Sequence, residues 1–300
     1  MDAARELLTS MTVPGKDAGY SLSLWREDLS HVYPGMYRYV LEADGKSTGA
    51  ARFITNTYEY SPQMPGSAES AARQTMAIWE QDLKADPAGF FANQPAGPRA
   101  RQREPPADLL VLQGSPRPDG NCAILAEWAV EAARECGKTT RVIYPHDLDI
   151  HPCIGCYQCF NSGTCVFDDD MDGIIDAIRD ASLVIVCSPV YTNTVPAGLK
   201  LVIDRMQAYY AQRILSGGRE DQLGLVWSVA GRPGPENFTC ITRVITAFFH
   251  TLGIRKAGEV LIDSSDRVHD IRTVPGKEEE VKRQVRNLVK KKYTRGEQKI

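Results

Sequence analysis

Four cysteines lie within one short stretch of this chain, and their number and spacing could bind a metal. The stretch follows the pattern C-x2-C-x2-C-x5-C, and its cysteines are Cys153, Cys156, Cys159 and Cys165. Thiolates are soft ligands, and four of them from one loop can hold a cubane iron–sulfur cluster or a tetrahedral zinc ion. Structural zinc sites usually pair two knuckles across a longer separation, whereas this spacing is typical of ferredoxin-like runs. The pattern therefore favours a [4Fe–4S] cluster, ahead of a loop without metal and of zinc.

Candidates for acid–base chemistry are few by comparison. His146 and His151 flank the cysteine stretch, where a histidine is more often structural than a proton donor. The aspartates at 168–170 are interpreted as caps of the helix that follows them. No catalytic residue is predicted from the sequence. The other cysteines fall on predicted helices and strands, which indicates small core residues: Cys122, Cys136, Cys187 and Cys240.

A loop that suits a phosphate group follows the apolar run Leu109–Leu112. It reads Gly-Ser-Pro-Arg-Pro-Asp-Gly-Asn-Cys and leads directly into a predicted helix. Glycine lets the backbone approach an anion, and the N–H groups at a helix N-terminus favour phosphate. The loop is neither a G-x-G-x-x-G dinucleotide motif nor a Walker A motif. Its candidate ligands are Ser115, Arg117, Gly120, Asn121 and Cys122.

Two further loops follow later strands of the same predicted sheet. The loop after the third strand has a Pro-x-Tyr segment that can hold a flat heterocycle, and its candidates are Pro189, Val190, Tyr191, Thr192, Asn193 and Thr194. The loop after the fourth strand begins with Ala230 and Gly231 and is rich in glycine and proline. Since ligands of such sheets bind at the carboxyl ends of the strands, the three loops together predict one site.

The elements that must position these loops begin at Asp108, where strands and helices start to alternate. The predicted strands cover residues 109–112, 140–144, 183–187, 223–230 and 258–262. The predicted helices cover residues 121–136, 170–180, 196–213, 236–252 and 278–293. Strands separated by helices imply right-handed crossovers, so the expected fold class is α/β with a doubly wound, five-stranded parallel sheet.

The part of the chain before this sheet has a different composition. A hairpin is predicted from residues 37–41 and 51–58 around a turn at 43–46, and a helix from residues 67–84. A stretch rich in proline, glycine and charge then predicts a linker. The predicted organisation is a small α+β accessory segment at 1–91, a linker at 92–107 and the sheet domain at 108–300, which contains the cysteine loop 153–165.

Bulk properties exclude several classes of partner. The net charge of −3 and the pI near 6.0 give no general attraction to nucleic acid or to anionic membranes. No apolar run reaches the roughly 18–20 residues that span a bilayer, and the N-terminus lacks a secretory pattern. Clustered cysteines without such a signal are typical of metal or redox work in a reducing compartment. We therefore expect a cytoplasmic protein with no nucleic-acid and no membrane partner.

Residues 108 to about 295 resemble the flavodoxin-like NAD(P)H-dependent FMN reductases, in particular their iron–sulfur flavoprotein branch. The motifs that carry the resemblance are Gly114-Ser-Pro-Arg-x-x-Gly-Asn, Pro152-Cys-Ile-Gly-Cys-x2-Cys-x5-Cys165 with Asp169-Asp-Met171, and Ser188-Pro-Val-Tyr191 with Leu199-Lys-x-x-Ile-Asp-Arg205. The resemblance implies FMN with its phosphate in the first loop and its isoalloxazine against the Ser-Pro-x-Tyr segment. It also implies a [4Fe–4S] cluster on the four cysteines and a homodimer or homotetramer. Cys122 departs from the family, which commonly has Thr or Ser at that position.

The function that follows from this resemblance is electron transfer. With both cofactors the protein would be an oxidoreductase that passes electrons between ferredoxin or NAD(P)H and a small-molecule acceptor. Two alternatives stay open, a cluster-free NAD(P)H-dependent FMN or quinone reductase and a non-enzymatic flavodoxin-like electron shuttle. Residues 1–100 have no counterpart in the resembling family, and we expect them to pack over the flavin entrance or a neighbouring subunit. The alternative is an independent small domain that touches neither.

Overall fold

The structure, a computed structural model, describes residues 5–14, 19–45, 49–94 and 103–290. By its internal contacts the chain divides into two compact units. Unit 1 consists of residues 1–102 and 154–166, and unit 2 consists of residues 103–153 and 167–300. The predicted domain boundaries stay a prediction. Parts of three predicted elements lie outside the described residues, namely 46 of the hairpin turn, 95–102 of the linker and 291–293 of the closing helix.

Unit 1 contains an antiparallel sheet, and unit 2 contains a parallel sheet. The strands of the described residues are β1 (Arg5–Val13), β2 (Tyr20–Asp28), β3 (Tyr37–Asp44), β4 (Ala50–Asn56), β5 (Leu109–Gln113), β6 (Thr140–Ile143), β7 (Leu183–Pro189), β8 (Leu223–Val229) and β9 (Arg255–Ile262). The helices are α1 (Ala68–Ala85), α2 (Pro87–Ala92), α3 (Asn121–Glu135), α4 (Cys159–Ser162), α5 (Met171–Asp180), α6 (Ala197–Arg205), α7 (Gln207–Ser216), α8 (Thr239–Thr251), α9 (Ser265–Val268) and α10 (Lys277–Val289). Within the described part of the chain, no helix combines the length and the apolar character needed to cross a bilayer.

The sheet of unit 1 has the strand order β1-β2-β3-β4 and shares a core with α1. Leu22 and Leu24 of β2 lie on the buried face, while their neighbours Ser21, Ser23 and Trp25 are more exposed, as in a sheet covered on one side. Met76 and Trp79 of α1, three positions apart, enter the same core. The predicted hairpin and helix are confirmed. Strands β1 and β2 were not predicted, although their alternation of apolar and polar residues was a usable signal.

The sheet of unit 2 has the order β6-β5-β7-β8-β9, and all its strands are parallel. This is the flavodoxin-like order, with the switch point between β5 and β7. Every residue of β5 and β8 is buried, as expected for strands with both faces covered. Trp128 of α3 and Val281 of α10 share a core with Leu109 of β5. The predicted five-stranded, doubly wound sheet is confirmed.

Two predicted helices of unit 2 differ from the observed ones. The predicted helix at 196–213 consists of α6 and α7, because Met206 between them has a ψ of −4° and interrupts the regular α-helix. The predicted helix at 236–252 begins with the 3-10 turn Pro235–Phe238, after which α8 follows. Neither difference moves the loops that follow β7 and β8.

Candidate functional site

A cavity of about 630 Å³ opens in unit 2 where the loops after β5, β7, β8 and β9 meet. These loops leave the carboxyl ends of parallel strands, which is where doubly wound sheets bind ligands. All residues predicted to bind flavin line the cavity except Thr194, and the lining ones are Ser115, Arg117, Gly120, Asn121, Cys122, Pro189, Val190, Tyr191, Thr192, Asn193, Ala230 and Gly231. The structure thus brings the three predicted loops together, while their role in flavin binding stays a prediction.

Several residues that line the cavity were not predicted. Arg232 belongs to the Gly- and Pro-rich loop after β8, of which only the first two residues were candidates, and Asn237 belongs to the 3-10 turn Pro235–Phe238. Val229 ends β8, and Ser265 and Asp266 follow β9. Ser265 and Asp266 could have been predicted from the parallel pairing of β8 and β9, because the carboxyl end of β9 has to lie at the same edge of the sheet.

Gln113, the last residue of β5, holds the predicted phosphate loop. Its buried side chain accepts a hydrogen bond from the backbone N–H of Ser115 and donates one of 3.4 Å to the carbonyl of Arg117. The Ser115 hydroxyl accepts from the backbone N–H of Arg117 at 3.1 Å. A Cβ at Gly114 would lie 2.7 Å from Leu199, so this close approach needs glycine. Sequence reasoning missed Gln113 because a polar residue after an apolar run indicates only where a strand ends.

The N-terminus of α3 lacks a side-chain cap, since Gly120 occupies the cap position. Uncapped N–H groups at a helix end favour an anion. Asn121, a predicted phosphate ligand, makes other bonds: its Nδ2 donates to the carbonyl of His269, and its Oδ1 accepts from the N–H of Ile271, both at 3.1 Å. Asn121 therefore joins the phosphate loop to the segment after β9. In the phosphate loop, the cationic side chain that lines the cavity is that of Arg117.

The loop after β7 ends in a tight turn at the cavity. The backbone N–H of Tyr191 donates to the carbonyl of Thr194, and the N–H of Thr194 donates to the carbonyl of Tyr191, both at 2.9 Å. Thr192 and Asn193 have positive φ angles of 47° and 63°, as in a type I′ turn. Asn tolerates this region, whereas a β-branched residue such as Thr occupies it at a cost of about 1–3 kcal/mol. Thr194 closes the turn and does not line the cavity.

The cysteines outside the cysteine loop are free thiols in different surroundings. Cys122 and Cys187 are buried, and the Cys187 Sγ lies 3.4 Å from the carbonyl oxygen of Cys122. Burial and the neighbouring Cys122 raise the pKa of the Cys187 thiol, which keeps it protonated. The core prediction is confirmed for these two residues. It is wrong for Cys240, which is exposed on α8, while Cys136 is partly exposed.

A buried ion pair within unit 2 joins the two ends of the cysteine loop. The Arg205 guanidinium binds both oxygens of the Asp169 carboxylate, with N–O distances of 2.6 and 3.0 Å, and both side chains are only 1% exposed. Arg205 donates to the carbonyl of His151 at 2.7 Å, and Asp169 accepts from the N–H of His151 at 3.0 Å. Since His151 precedes the loop and Asp169 follows it, the ion pair closes the base of the loop.

Phe167 strengthens this base. Its ring stacks on the His151 imidazole with centroids 5.0 Å apart, and the Arg205 guanidinium lies 5.0 Å from its centroid. Burial raises the pKa of Asp169, but hydrogen bonds from Arg205 and from two backbone N–H groups outweigh it, so the pKa lies below its ordinary value. One of these N–H groups is that of Met171 at the start of α5, whereas Asp170, which occupies the N-cap position, makes no side-chain cap bond. Asp169 is therefore ionised at neutral pH.

The cysteine loop beyond its base, Ile154–Val166, belongs to unit 1. The chain turns at Gly155 and Tyr157, whose φ angles are 64° and 58°, and Cys159 then begins the short helix α4. The four predicted ligands differ in accessibility, from exposed at Cys153 through partly exposed at Cys156 and Cys165 to buried at Cys159.

The four thiols of this loop are chemically suited to an iron–sulfur cluster, but they are not already arranged around a metal site. Four thiols within one loop are the soft ligands that such a cluster uses. In the residues that the structure describes, however, no group of three or more His, Cys, Asp or Glu side chains is arranged to hold a metal.

Comparisons with known proteins agree with the motifs. A family model of the NADPH-dependent FMN reductases matches residues 107–257, half of the chain. An iron–sulfur flavoprotein from Methanocaldococcus jannaschii is 42% identical over 97 residues, which are 32% of this chain and 50% of that protein. Another from Methanosarcina thermophila is 38% identical over 97 residues, 32% of this chain and 51% of that protein. Among solved structures, an NAD(P)H:quinone oxidoreductase from Methanothermobacter marburgensis matches 62% of this chain and 95% of its own, at 17% identity and a TM-score of 0.45.

The fold and the cavity define a flavodoxin-like α/β protein with a ligand site at the carboxyl edge of its parallel sheet. With the match over residues 107–257, the chain belongs to the NADPH-dependent FMN reductase family, a family of flavin-dependent oxidoreductases. The predicted resemblance to the iron–sulfur flavoprotein branch of this family is confirmed. The chain spans about half the length of the curated relatives it matches.

Proposed function

We propose that the protein is an iron–sulfur flavoprotein oxidoreductase that passes electrons between a reduced carrier and a small acceptor. The observation that carries the proposal is the cavity at which the three loops predicted for FMN meet. The carrier would be ferredoxin or NAD(P)H, and the acceptor a quinone, an oxygen species or an organic molecule. Family membership supports the flavin, and the iron–sulfur flavoproteins among the relatives support the cluster.

FMN would lie in this cavity with its phosphate at the N-terminus of α3. Arg117 supplies a cation there, and the uncapped first turn of α3 supplies N–H donors. The flavin ring would lie against the loop at 189–193, in which the ring of Tyr191 is available for stacking. Bound FMN supplies chemistry that links two-electron donors to single-electron steps. The chain holds both loops ready for it, through Gln113 in the first loop and the turn closed by Thr194 in the second.

The cysteine loop would hold a [4Fe–4S] cluster on Cys153, Cys156, Cys159 and Cys165. A bound cluster supplies single-electron transfer. The chain's own contribution is to fix the base of the loop through the buried ion pair of Arg205 and Asp169. The resemblance further supports a homodimer or homotetramer, and the composition supports a cytoplasmic location without nucleic-acid or membrane partners.

The second candidate function is a cluster-free NAD(P)H-dependent FMN or quinone reductase. It is favoured by one observation, that the described residues contain no group of side chains already arranged as metal ligands. A pure electron shuttle differs from both in having no substrate of its own. Turnover and iron content together distinguish the three: fast NAD(P)H oxidation with a quinone by protein that holds no iron supports the second candidate, and no turnover with any small acceptor supports the shuttle.

The proposal is tested by the cofactor content of protein purified without oxygen. We expect one FMN for each chain and about four irons, as a [4Fe–4S] cluster requires. Folded protein that binds no FMN on incubation would contradict the flavin proposal. Stoichiometric zinc without iron would contradict the cluster and leave the flavin proposal standing.

Arg117→Ala is expected to weaken FMN binding about ten- to a hundredfold, because a charge-assisted hydrogen bond to phosphate contributes roughly 1.5–3 kcal/mol. The dissociation constant is measured by titrating flavin-free protein with FMN and following flavin fluorescence. Arg243→Ala is the matched control, since Arg243 is exposed on α8 and does not line the cavity. Equal FMN affinities in the two variants would show that Arg117 does not bind the phosphate of FMN.

A further inference from the structure

The middle of the cysteine loop takes part in a buried hydrogen-bond network within unit 1. The network centres on Asn161, two residues after Cys159. The Asn161 Oδ1 accepts from Nδ2 of Asn56, and its Nδ2 donates to Oε1 of Glu59, both at 2.8 Å. The Asn56 Nδ2 also donates to the carbonyl of Tyr157 at 3.1 Å. Both ends of the Asn161 amide are thus bound to the chain around the end of β4.

The partners of Asn161 are held in place by bonds of their own. Glu59 Oε1 also accepts from the backbone N–H of Asn56 at 2.7 Å and from the hydroxyl of Thr55 at 3.0 Å. Asn56 and Glu59 form a capping box around the 3-10 turn that follows β4. Asn56 and Thr55 are almost fully buried. The loop therefore meets groups that are already oriented, so little further ordering is needed to bind it.

Arg38 adds a charged contact from the neighbouring strand. Its Nη2 donates to the backbone carbonyl of Asn161 at 2.6 Å, and its Nη1 forms an ion pair with Glu27 of β2. Arg38 lies opposite Asn56 in the register of β3 and β4, so both side chains leave the same face of the sheet. The sheet of unit 1 thus contacts the loop through paired positions on adjacent strands.

Aromatic rings pack around the same part of the loop. The Tyr157 ring lies 4.9 Å from the Tyr58 ring and 5.7 Å from the Tyr33 ring, measured between centroids. Phe160, which is fully buried, lies 5.5 Å from Tyr33 in an edge-to-face arrangement. Tyr157 has a φ of 58°, a backbone conformation that residues other than glycine and asparagine rarely adopt. The ring contacts hold this turn of the loop in place.

We propose that the part of unit 1 before the linker is a positioning unit for the cysteine loop, and that it determines how firmly the loop retains a metal cluster. Tyr157 directly follows Cys156, and Phe160 and Asn161 directly follow Cys159, so the contacts act on the backbone between the thiols. A loop that is ordered beforehand loses less conformational entropy on binding. In its claim about the cluster, this inference rests on the proposed function. The predicted packing over the flavin entrance stays a prediction.

Asn161→Ala in the full-length protein tests this role. The substitution leaves the buried Asn56 and the partly buried Glu59 without their partner, so the loop should open more often. We expect amide hydrogen exchange at residues 157–163 to rise about ten- to a hundredfold, and iron release to an external chelator to rise by a similar factor. Asn93→Ala is the matched control, because Asn93 is an exposed asparagine of the same unit, at the end of α2.

A second variant keeps the test decisive if Asn161→Ala does not fold, as judged by circular dichroism. Arg38→Lys retains a positive charge opposite Glu27 but does not reach the Asn161 carbonyl as the guanidinium does. It should raise exchange and iron release in the same direction and by a smaller factor. FMN binding, which concerns unit 2, should stay at the wild-type level in both variants.

The outcomes separate this proposal from the proposed function. Faster exchange and faster iron release, with Asn93→Ala like the wild type, support it. Iron in the wild type with unchanged release from both Asn161→Ala and Arg38→Lys overturns it. If the wild type holds no iron but exchange rises in the variants, the proposed cluster fails while the role in positioning the loop stands. If there is no iron and exchange is also unchanged, both proposals fail.

Discussion

Arg205→Met is expected to lower the free energy of unfolding by about 3–5 kcal/mol. The substitution leaves the carboxylate of Asp169, whose side chain is 1% exposed, without its cation in the interior of unit 2. Breaking a buried pair is costly because the remaining charge stays desolvated and has no compensating partner. The carbonyl of His151 loses a donor at the same time. Urea denaturation followed by circular dichroism measures the change.

The controls for this prediction separate burial from charge. Lys200 and Asp204 form an ion pair on α6 in which both side chains are about half exposed. Lys200→Met should therefore lower stability by less than about 1 kcal/mol. Adding Asp169→Asn to Arg205→Met removes the stranded charge and should restore about half of the loss. If Arg205→Met costs no more than Lys200→Met, the ion pair does not stabilise the base of the cysteine loop.

The same ion pair gives stability a definite dependence on pH. The pKa of Asp169 is lower in the folded chain than its ordinary value of 3.8, so the unfolded chain binds its proton more tightly. The stabilisation is therefore complete above that ordinary value and is lost as the pH falls through the lower, folded-state pKa. We expect the stability difference between wild type and Arg205→Met to be full at neutral pH and to shrink in acid, because the buried Asp169 without its cation takes up a proton more readily than in the wild type. A difference that stays constant down to acid unfolding would contradict this assignment.

Cys159→Ala is expected to remove nearly all iron from the protein. A cubane cluster of this type uses four thiolates, and the loop would then offer only three. Alanine is a good helix former, so α4, which Cys159 begins, should be retained. Iron content and visible absorbance of protein purified without oxygen measure the effect. FMN content should not change, because the cavity lies in unit 2.

Cys240→Ala is the matched control for this loss. Cys240 is a free thiol that is exposed on α8 of unit 2, far in sequence from the cysteine loop. The Cys240→Ala variant should contain as much iron as the wild type. Equal iron in Cys159→Ala and in the wild type would take Cys159 out of the ligand set, and iron loss in both variants would point to oxidation during preparation.

The parallel sheet of unit 2 could be predicted because its central strands are buried on both faces. Such strands are continuous apolar runs, as in Leu109–Leu112, and the amphipathic helices between them then require crossovers. The cavity at the sheet edge follows from the same rule, since loops after parallel strands leave at one edge. The rule was applied to three strands only, and Ser265 and Asp266 after β9 were therefore missed.

Other parts of the site depend on polar groups whose partners lie far away in the chain. Gln113 at a strand end and Asn161 between cysteines have the same appearance in the sequence as solvated residues. Their roles come from the folded chain, in which Gln113 bonds the phosphate loop and Asn161 bonds Asn56 and Glu59. Polar residues are common both on surfaces and in buried networks, and only the burial of their partners distinguishes the two.

By itself the sequence determined the α/β class, the three loops at one sheet edge and the four thiols of the cysteine loop. These depend on local periodicity and spacing, which residue types along the chain determine directly. The tertiary structure decided that Arg205 closes the base of the loop on Asp169, and that the sheet of unit 1 holds the middle of the loop through Asn161. The two groups of the second contact are 105 residues apart in the chain, and such a pairing exists only once the intervening elements have packed.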